Sequence, residues 1–189
     1  MNEANFEKNE YAEIAAELKK MRDADQVMRM RAAEKGGLIQ DEEDNKLDEK
    51  HTARMKEIVE QIGWPSRSKV GKEGAQHAWL LVQHADHDPE FQARCLAMMR
   101  ELPKGDVKPW QIAYLEDRIR VNARQPQLYG TQFYEDPEKG FGPRPIEDEE
   151  HLEERRKEMG LESFEEYRRE LLEKYSEWEK KKQNKTETP

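Results

Sequence analysis

His77 and His84 lie seven residues apart in the stretch Glu73 to Ala85 (EGAQHAWLLVQHA). At about 100° per residue, that spacing puts both imidazoles on one helix face with Gln76, Leu80 and Gln83, opposite Ala75, Ala78, Trp79 and Val82. Imidazole is the side chain whose ordinary pKa, about 6.5, lies nearest neutral pH, which makes His84 a candidate general acid or base. Such a histidine needs a carboxylate to set its tautomer. Asp86, two residues on, is one candidate; Asp117, on an apolar stripe with Trp110, Tyr114 and Val121 and beside Arg118, is the other. Asp25, between Met21 and Met28, and His51, between Leu47 and Met55, interrupt their stripes in the same way. An ionisable group on a core-facing stripe is costly unless it is paired or used. Each has a plainer role as a satisfied core polar group, and it is their coincidence that points to a shared site.

The same logic nominates groups that would hold a substrate. Arg118 or Arg67 suits an anionic group, and Gln83, Gln127 and Gln132 suit an amide or carboxylate. The segment Gln125 to Gln132 (QPQLYGTQ) combines a turn fixed by Pro126, a flexible Gly130 and several side-chain donors, Tyr129 among them. The sequence therefore predicts one pocket in which His77, His84, Asp117 and Arg118 meet Gln127, Tyr129 and Gln132.

The elements that must position these groups read as helices. Residues 6–34 place Tyr11, Ile14, Leu18, Met21, Met28 and Ala32 on one side at helical spacing, with Gly36-Gly37 as the stop. The acidic run Asp41 to Asp44 is a loop or helix start. Leu47, Met55, Ile58 and Ile62 then form a second stripe, closed by Gly63-Trp64-Pro65, so 6–62 predicts a helical hairpin. After the loop SRSKVGKEG comes the apolar helix over 73–85. Asp88-Pro89 opens a helix carrying Phe91, Cys95, Leu96 and Met99, and another runs from about Pro109 to Ala123. Strand-favouring residues at 127–134 and 141–146 predict a small hairpin. Ser163 and Glu166 spell a capping box ahead of Phe164, Tyr167, Leu171, Tyr175 and Trp178 at helical spacing. The fold class is all-α (mainly α): a bundle of about five helices with a small β-hairpin and a C-terminal amphipathic helix. It forms a single domain over 1–182, with core and site in 63–146, acidic C-terminal helices in 147–182 and a disordered tail at 183–189.

Composition narrows the function. Of 189 residues, 34% are hydrophobic and 40% charged, with a net charge of -9, so the core is thin and no basic stripe serves nucleic acid. Most aromatic residues, prolines and glycines fall in the nearly neutral stretch 63–146. No signal peptide or membrane span is evident, which gives the expectation of a cytoplasmic protein. The single Cys95 excludes an internal disulfide framework and any Cys-based zinc cluster, and its place on an apolar face suggests an inert thiol. His84 and His87 straddle a helix end, and no recognised ligand spacing occurs, so neither a metal nor another cofactor is expected, although a histidine-carboxylate site assembled across helices stays open.

Several short pieces together resemble a known family: Gly63 to Ser68 (GWPSRS) followed by Val70-Gly71, Ala78 to Asp86 (AWLLVQHAD), Phe91-Gln92, Ala113-Tyr114-Leu115 with Asp117-Arg118, and Gln125 to Gln132. The combination is similar to the largely bacterial domain-of-unknown-function family 6624, over roughly residues 20–170. Asp25-Gln26 and Arg54 to Val59 match its N-terminal part. That family often carries Asn where this chain has His51, which argues against a catalytic role for His51. The resemblance implies boundaries and a motif set, and no reaction.

Two functions compete at this point. One is a hydrolase- or lyase-type enzyme in which His84, with Asp117 or Asp86, performs acid-base chemistry on a small polar or anionic substrate. The other is a binding module that captures a small molecule or peptide without turnover, with the C-terminal helix open to a protein partner.

Overall fold

In the computed structural model, residues 3–34, 42–136 and 138–186 are described, and the chain is mainly α, with seven α-helices and one two-stranded hairpin among them. The predicted Gly36-Gly37 stop and Asp41 lie outside the described residues. The chain divides into two compact units, Met1–Lys108 and Pro109–Pro189, so the boundary falls inside the 63–146 stretch.

The first unit contains α1 (Glu3–Glu34), α2 (Glu42–Ile62), α3 (Arg67–Gln83) and α4 (Pro89–Glu101). Ile14, Leu18, Met21 and Met28 are buried on α1, and Met55, Ile58 and Ile62 on α2, as the stripes predict; Val59 is buried beside them, while Tyr11, Ala32 and Leu47 are half-buried. Arg54 on α2 holds Glu17 on α1 through both carboxylate oxygens (2.7 and 2.8 Å). Farther along α1, Arg29 meets Asp48, which comes earlier in α2, so the two helices run antiparallel. α3 runs the same way as α1: a Cβ placed on Gly74 would lie 3.5 Å from Ala15 Cβ, while His84 at the far end reaches Asp25. Gly74, Ala75 and Ala78 are all buried, so small residues line part of α3's inner surface.

The predicted loop 66–74 is more ordered than expected. α3 begins at Arg67 with one short turn, in which Ser66 O accepts from Lys69 and Val70, and then breaks at Gly71 (φ 75°, ψ 175°) before resuming. Ser68 donates through N and Oγ to the Asp106 carboxylate (3.1 and 2.8 Å), which anchors that first turn. α4 opens as predicted, with Asp88 Oδ1 accepting from Phe91 N at 3.0 Å and Pro89 in the first turn. From α4, the fully buried Gln92 sends Nε2 back to the carbonyls of Val82 (3.0 Å) and Gln83 (3.3 Å) in the last turn of α3, where Val82 O also accepts from Ala85 N at 3.2 Å. Cys95 is also fully buried, and burial pushes its thiol pKa up to about 12.

The second unit contains α5 (Pro109–Asn122), β1 (Phe133–Asp136), β2 (Gly140–Pro143), a 3₁₀ turn (Glu149–His151), α6 (Leu152–Glu158) and α7 (Phe164–Thr186). β1 and β2 pair antiparallel, with Phe133 opposite Pro143 and Asp136 opposite Gly140. The hairpin is shorter than predicted: residues 128–131 form a loop because the backbone N–H groups of Leu128, Tyr129 and Thr131 go to the Asp117 carboxylate instead of a neighbouring strand. The capping box at α7 forms, with Ser163 Oγ 2.6 Å from Glu166 Oε2 and Glu166 N donating back to Ser163 Oγ. The aromatic face of α7 packs on the hairpin: Tyr175 stacks on Phe141 at 4.4 Å, and Tyr167 meets Phe133 edge-on at 5.7 Å. α7 continues through Thr186, past Gln183, where the tail is expected to begin.

Candidate functional site

α1, α2 and α3 converge at one end of the first unit, where three helices bring charged groups inward. Asp25 is completely buried on α1 and accepts from His84 Nδ1 at 2.8 Å. Arg29, one turn farther along α1, donates Nε to the same Asp25 oxygen (3.0 Å) and Nη2 to both oxygens of Asp48 on α2 (2.9 and 3.1 Å). Gln26 adds a donor to the other Asp25 oxygen at 2.9 Å. Burial raises the Asp25 pKa; the hydrogen bond and charge of His84, with Arg29 and Gln26, outweigh it and hold the carboxyl below its ordinary value.

The tautomer of His84 follows from these distances. Arg29 Nε is also 2.9 Å from His84 Nδ1, but a nitrogen whose proton points at Asp25 has no lone pair to accept another. Nδ1–H donates to the carboxylate, and Arg29 Nε–H goes to Asp25. Nε2 then carries the lone pair and has no protein partner among the described residues. His84 is only 15% exposed by side chain and stands in the wall of a cleft of about 190 Å³ with Arg29, Asn45, Asp48, Glu49, Asp86 and His87. His51, buried on α2, feels both Asp25 and Asp48, yet its Nδ1 has no partner; burial pushes its pKa down, against the pull of those carboxylates. Among the described residues, no group of three or more His, Cys, Asp or Glu is arranged to hold a metal ion.

Of the predicted site residues, the cleft brings together His84 and Asp86. Gln83 precedes His84 and is buried, its Nε2 unpartnered. His77 is buried farther back on α3, where burial lowers its pKa and the charges of Arg22, Asp23 and Glu73 act on it. Arg67 donates to the carbonyl of Gly105 at 3.2 Å and so braces the start of α3. The carboxylate that holds His84 is Asp25, whereas the sequence nominates Asp117 or Asp86. The sequence marks Asp25 as a misfit on its stripe without pairing it to His84, and Arg29 and Asp48 are not among its nominated site residues. Their signal was present in the i,i+4 pair Asp25 and Arg29 on an otherwise apolar stripe, and in Asp48 three residues before His51.

Asp117, Arg118, Gln127, Tyr129 and Gln132 belong to the second unit. Asp117 is fully buried and receives the N–H groups of Leu128 (2.7 Å), Tyr129 (3.0 Å) and Thr131 (3.0 Å) and the Thr131 hydroxyl (2.9 Å). Burial raises its pKa and these donors lower it. Gln127 clasps the same loop, with Nε2 donating to the carbonyls of Gln132 and Arg144 and Oε1 accepting from Gln132 N. Gln132 Nε2 donates in turn to Thr131 Oγ1, and buried Arg156 holds the Tyr129 carbonyl at 2.5 Å. Arg118 lies on α5, partly exposed. The side chains of Asp117, Gln127 and Gln132 are directed into the loop itself, an arrangement that fixes backbone.

No helix among the described residues is long and apolar enough to cross a membrane. No curated protein and no solved structure matches the chain. A protein-family model, described as a family of unknown function (DUF6624), matches residues 12–180. That span takes in the helices carrying Asp25, Arg29, Asp48 and His84 together with the Asp117 loop, and the chain belongs to this family.

Proposed function

We propose that His84 acts as a general acid and base on a small polar substrate, in a reaction of the hydrolase or lyase type. The observation that carries this reading is the 2.8 Å contact from His84 Nδ1 to the buried Asp25 at the edge of a cleft. A carboxylate on one ring nitrogen fixes the tautomer, holds the ring in place and stabilises the imidazolium formed when the other nitrogen takes a proton. Nε2 takes that proton from water or from the substrate and returns it to the leaving group. His84 and, after it, Arg29 keep Asp25 ionised, and Arg29 ties it to α2 through Asp48, so that the orientation of the imidazole depends on three helices.

The experiment is a turnover screen of the full chain against small esters, amides and other polar substrates, repeated with His84→Ala and Asp25→Asn. Positioned proton transfer contributes about 10²–10⁴-fold in rate. Loss of that order in His84→Ala, with Asp25→Asn impaired and its pH profile moved, supports the reading; a hit on which His84→Ala performs as well as the parent overturns it. The alternative, a binding module without turnover, draws on the cleft's small size, and it predicts ligand binding with no substrate converted.

A further inference from the structure

We infer that the ligand of the His84 cleft is cationic, carrying an amine, amidine or guanidinium group, and that the site rejects anions. The inference rests on the reading of the cleft as the working site and decides the charge of what enters it.

The cleft walls hold the carboxylates of Asp48, Glu49 and Asp86, with Asp25 directly behind His84. Among the described residues, Arg29 is the one permanently charged cation in the lining, and its charge is already matched against two carboxylates, Asp25 through Nε and Asp48 through Nη2. Balanced against four carboxylates, one guanidinium and two imidazoles leave the cleft negative even with His84 and His87 both protonated. A concave wall focuses such a field, raising the local concentration of ligands of opposite charge. An anion would have to displace Asp25 or Asp48 from Arg29, breaking a partly buried ion pair that fixes the imidazole.

Shape agrees with charge. At roughly 30 Å³ per liquid water, 190 Å³ holds about six waters, well under the roughly 300 Å³ at which drug-sized sites begin. A compact headgroup fits. Its donors meet Asp48, Glu49 and Asp86 as acceptors, the Asn45 amide offers a further polar contact, and Nε2 of His84 remains facing the group to be deprotonated.

The test uses the full chain with two probes at equal ionic strength: propylguanidinium chloride and inorganic phosphate, each followed through the ring resonances of His84. Propylguanidinium should shift them saturably and phosphate should not. The double variant Glu49→Gln with Asp86→Asn removes two rim charges and leaves Asp25, Arg29 and Asp48 in place; its affinity for propylguanidinium should fall at least tenfold, with helix content unchanged by circular dichroism. Saturable binding of phosphate, absence of binding by propylguanidinium, or equal affinity in the double variant would overturn the inference. Each of these outcomes is independent of whether His84→Ala loses turnover, so the charge preference and the acid-base reading can fail separately.

Discussion

Oδ1 of Asp25 lies 2.8 Å from Nδ1 of His84, across 59 residues of sequence, and the carboxylate is completely buried while the imidazole keeps one edge in a cleft. Burial of a charge without partners would be prohibitive; here three donors surround it, from His84, Arg29 and Gln26. The pairing therefore holds α1 against α3 and, through Arg29 and Asp48, α1 against α2.

Asp25→Asn should show what that carboxylate does. Its pKa is depressed in the folded chain, so the stability it contributes is present above the unfolded value of 3.8 and is lost as pH falls through the folded one. Urea unfolding followed from pH 7 downward should show the parent weakening below that value. The variant should be weaker by a few kcal/mol at pH 7, in line with about 3–5 kcal/mol for breaking a buried pair, and flatter in acid. Equal stability of the two proteins at pH 7 would count against the network.

His51 titrates from a higher starting point with the same sign. Burial lowers its pKa beneath 6.5, so the unfolded chain takes up a proton that the fold resists, and stability declines as pH drops below 6.5. His51→Gln should remove part of that decline, worth about 1.4 kcal/mol for each unit of depression. His77 acts in the same direction and would leave a residue of the slope. An unchanged slope between pH 7 and 5 in the His51 variant would refute its neutral burial.

Asp117→Ala should injure the second unit. It strips the acceptor from three backbone N–H groups and one hydroxyl, and each unsatisfied buried donor costs about 1–3 kcal/mol. Hydrogen exchange of the Leu128, Tyr129 and Thr131 amides should accelerate in the variant. Amides that exchange as slowly as in the parent would count against Asp117 as the acceptor that orders the loop.

Gly130→Ala should also destabilise the second unit. The residue has φ +67°, and a Cβ there would lie 2.7 Å from Phe164 Cε2 and 3.2 Å from Ile146 Cδ1. Left-handed backbone costs about 1–2 kcal/mol for a residue with a Cβ, and overpacking typically adds about 1–3. Thermal melting of the full chain should show that loss, whereas Gly140→Ala, with open space around it and φ +76°, should show the backbone part alone.

The helices were legible because their apolar spacing, caps and breakers are local: Asp88-Pro89, Ser163 with Glu166, and the stripes of α1 and α2 all appear where the sequence put them. The site was legible in part. A misfit can be recognised from one helix, and Asp25, His51, His84 and Asp117 were all recognised, but its partner lies on another helix whose rotation and direction no stripe specifies. His84 was thus assigned to nearby Asp86 or to Asp117, when the parallel course of α1 and α3 delivers Asp25. The loop after Pro126 misled for a related reason: the strand propensity of Leu128, Tyr129 and Thr131 yields when a buried carboxylate takes their N–H groups.

Cys95 adds a clock to the molecule. The chain has one thiol, sealed in the core of the first unit and shifted far from its reactive form, so a reagent such as an aromatic disulfide can reach it only when that core opens. The rate of labelling therefore times the opening of the His84-bearing unit alone, while the other unit, which has no cysteine, stays silent.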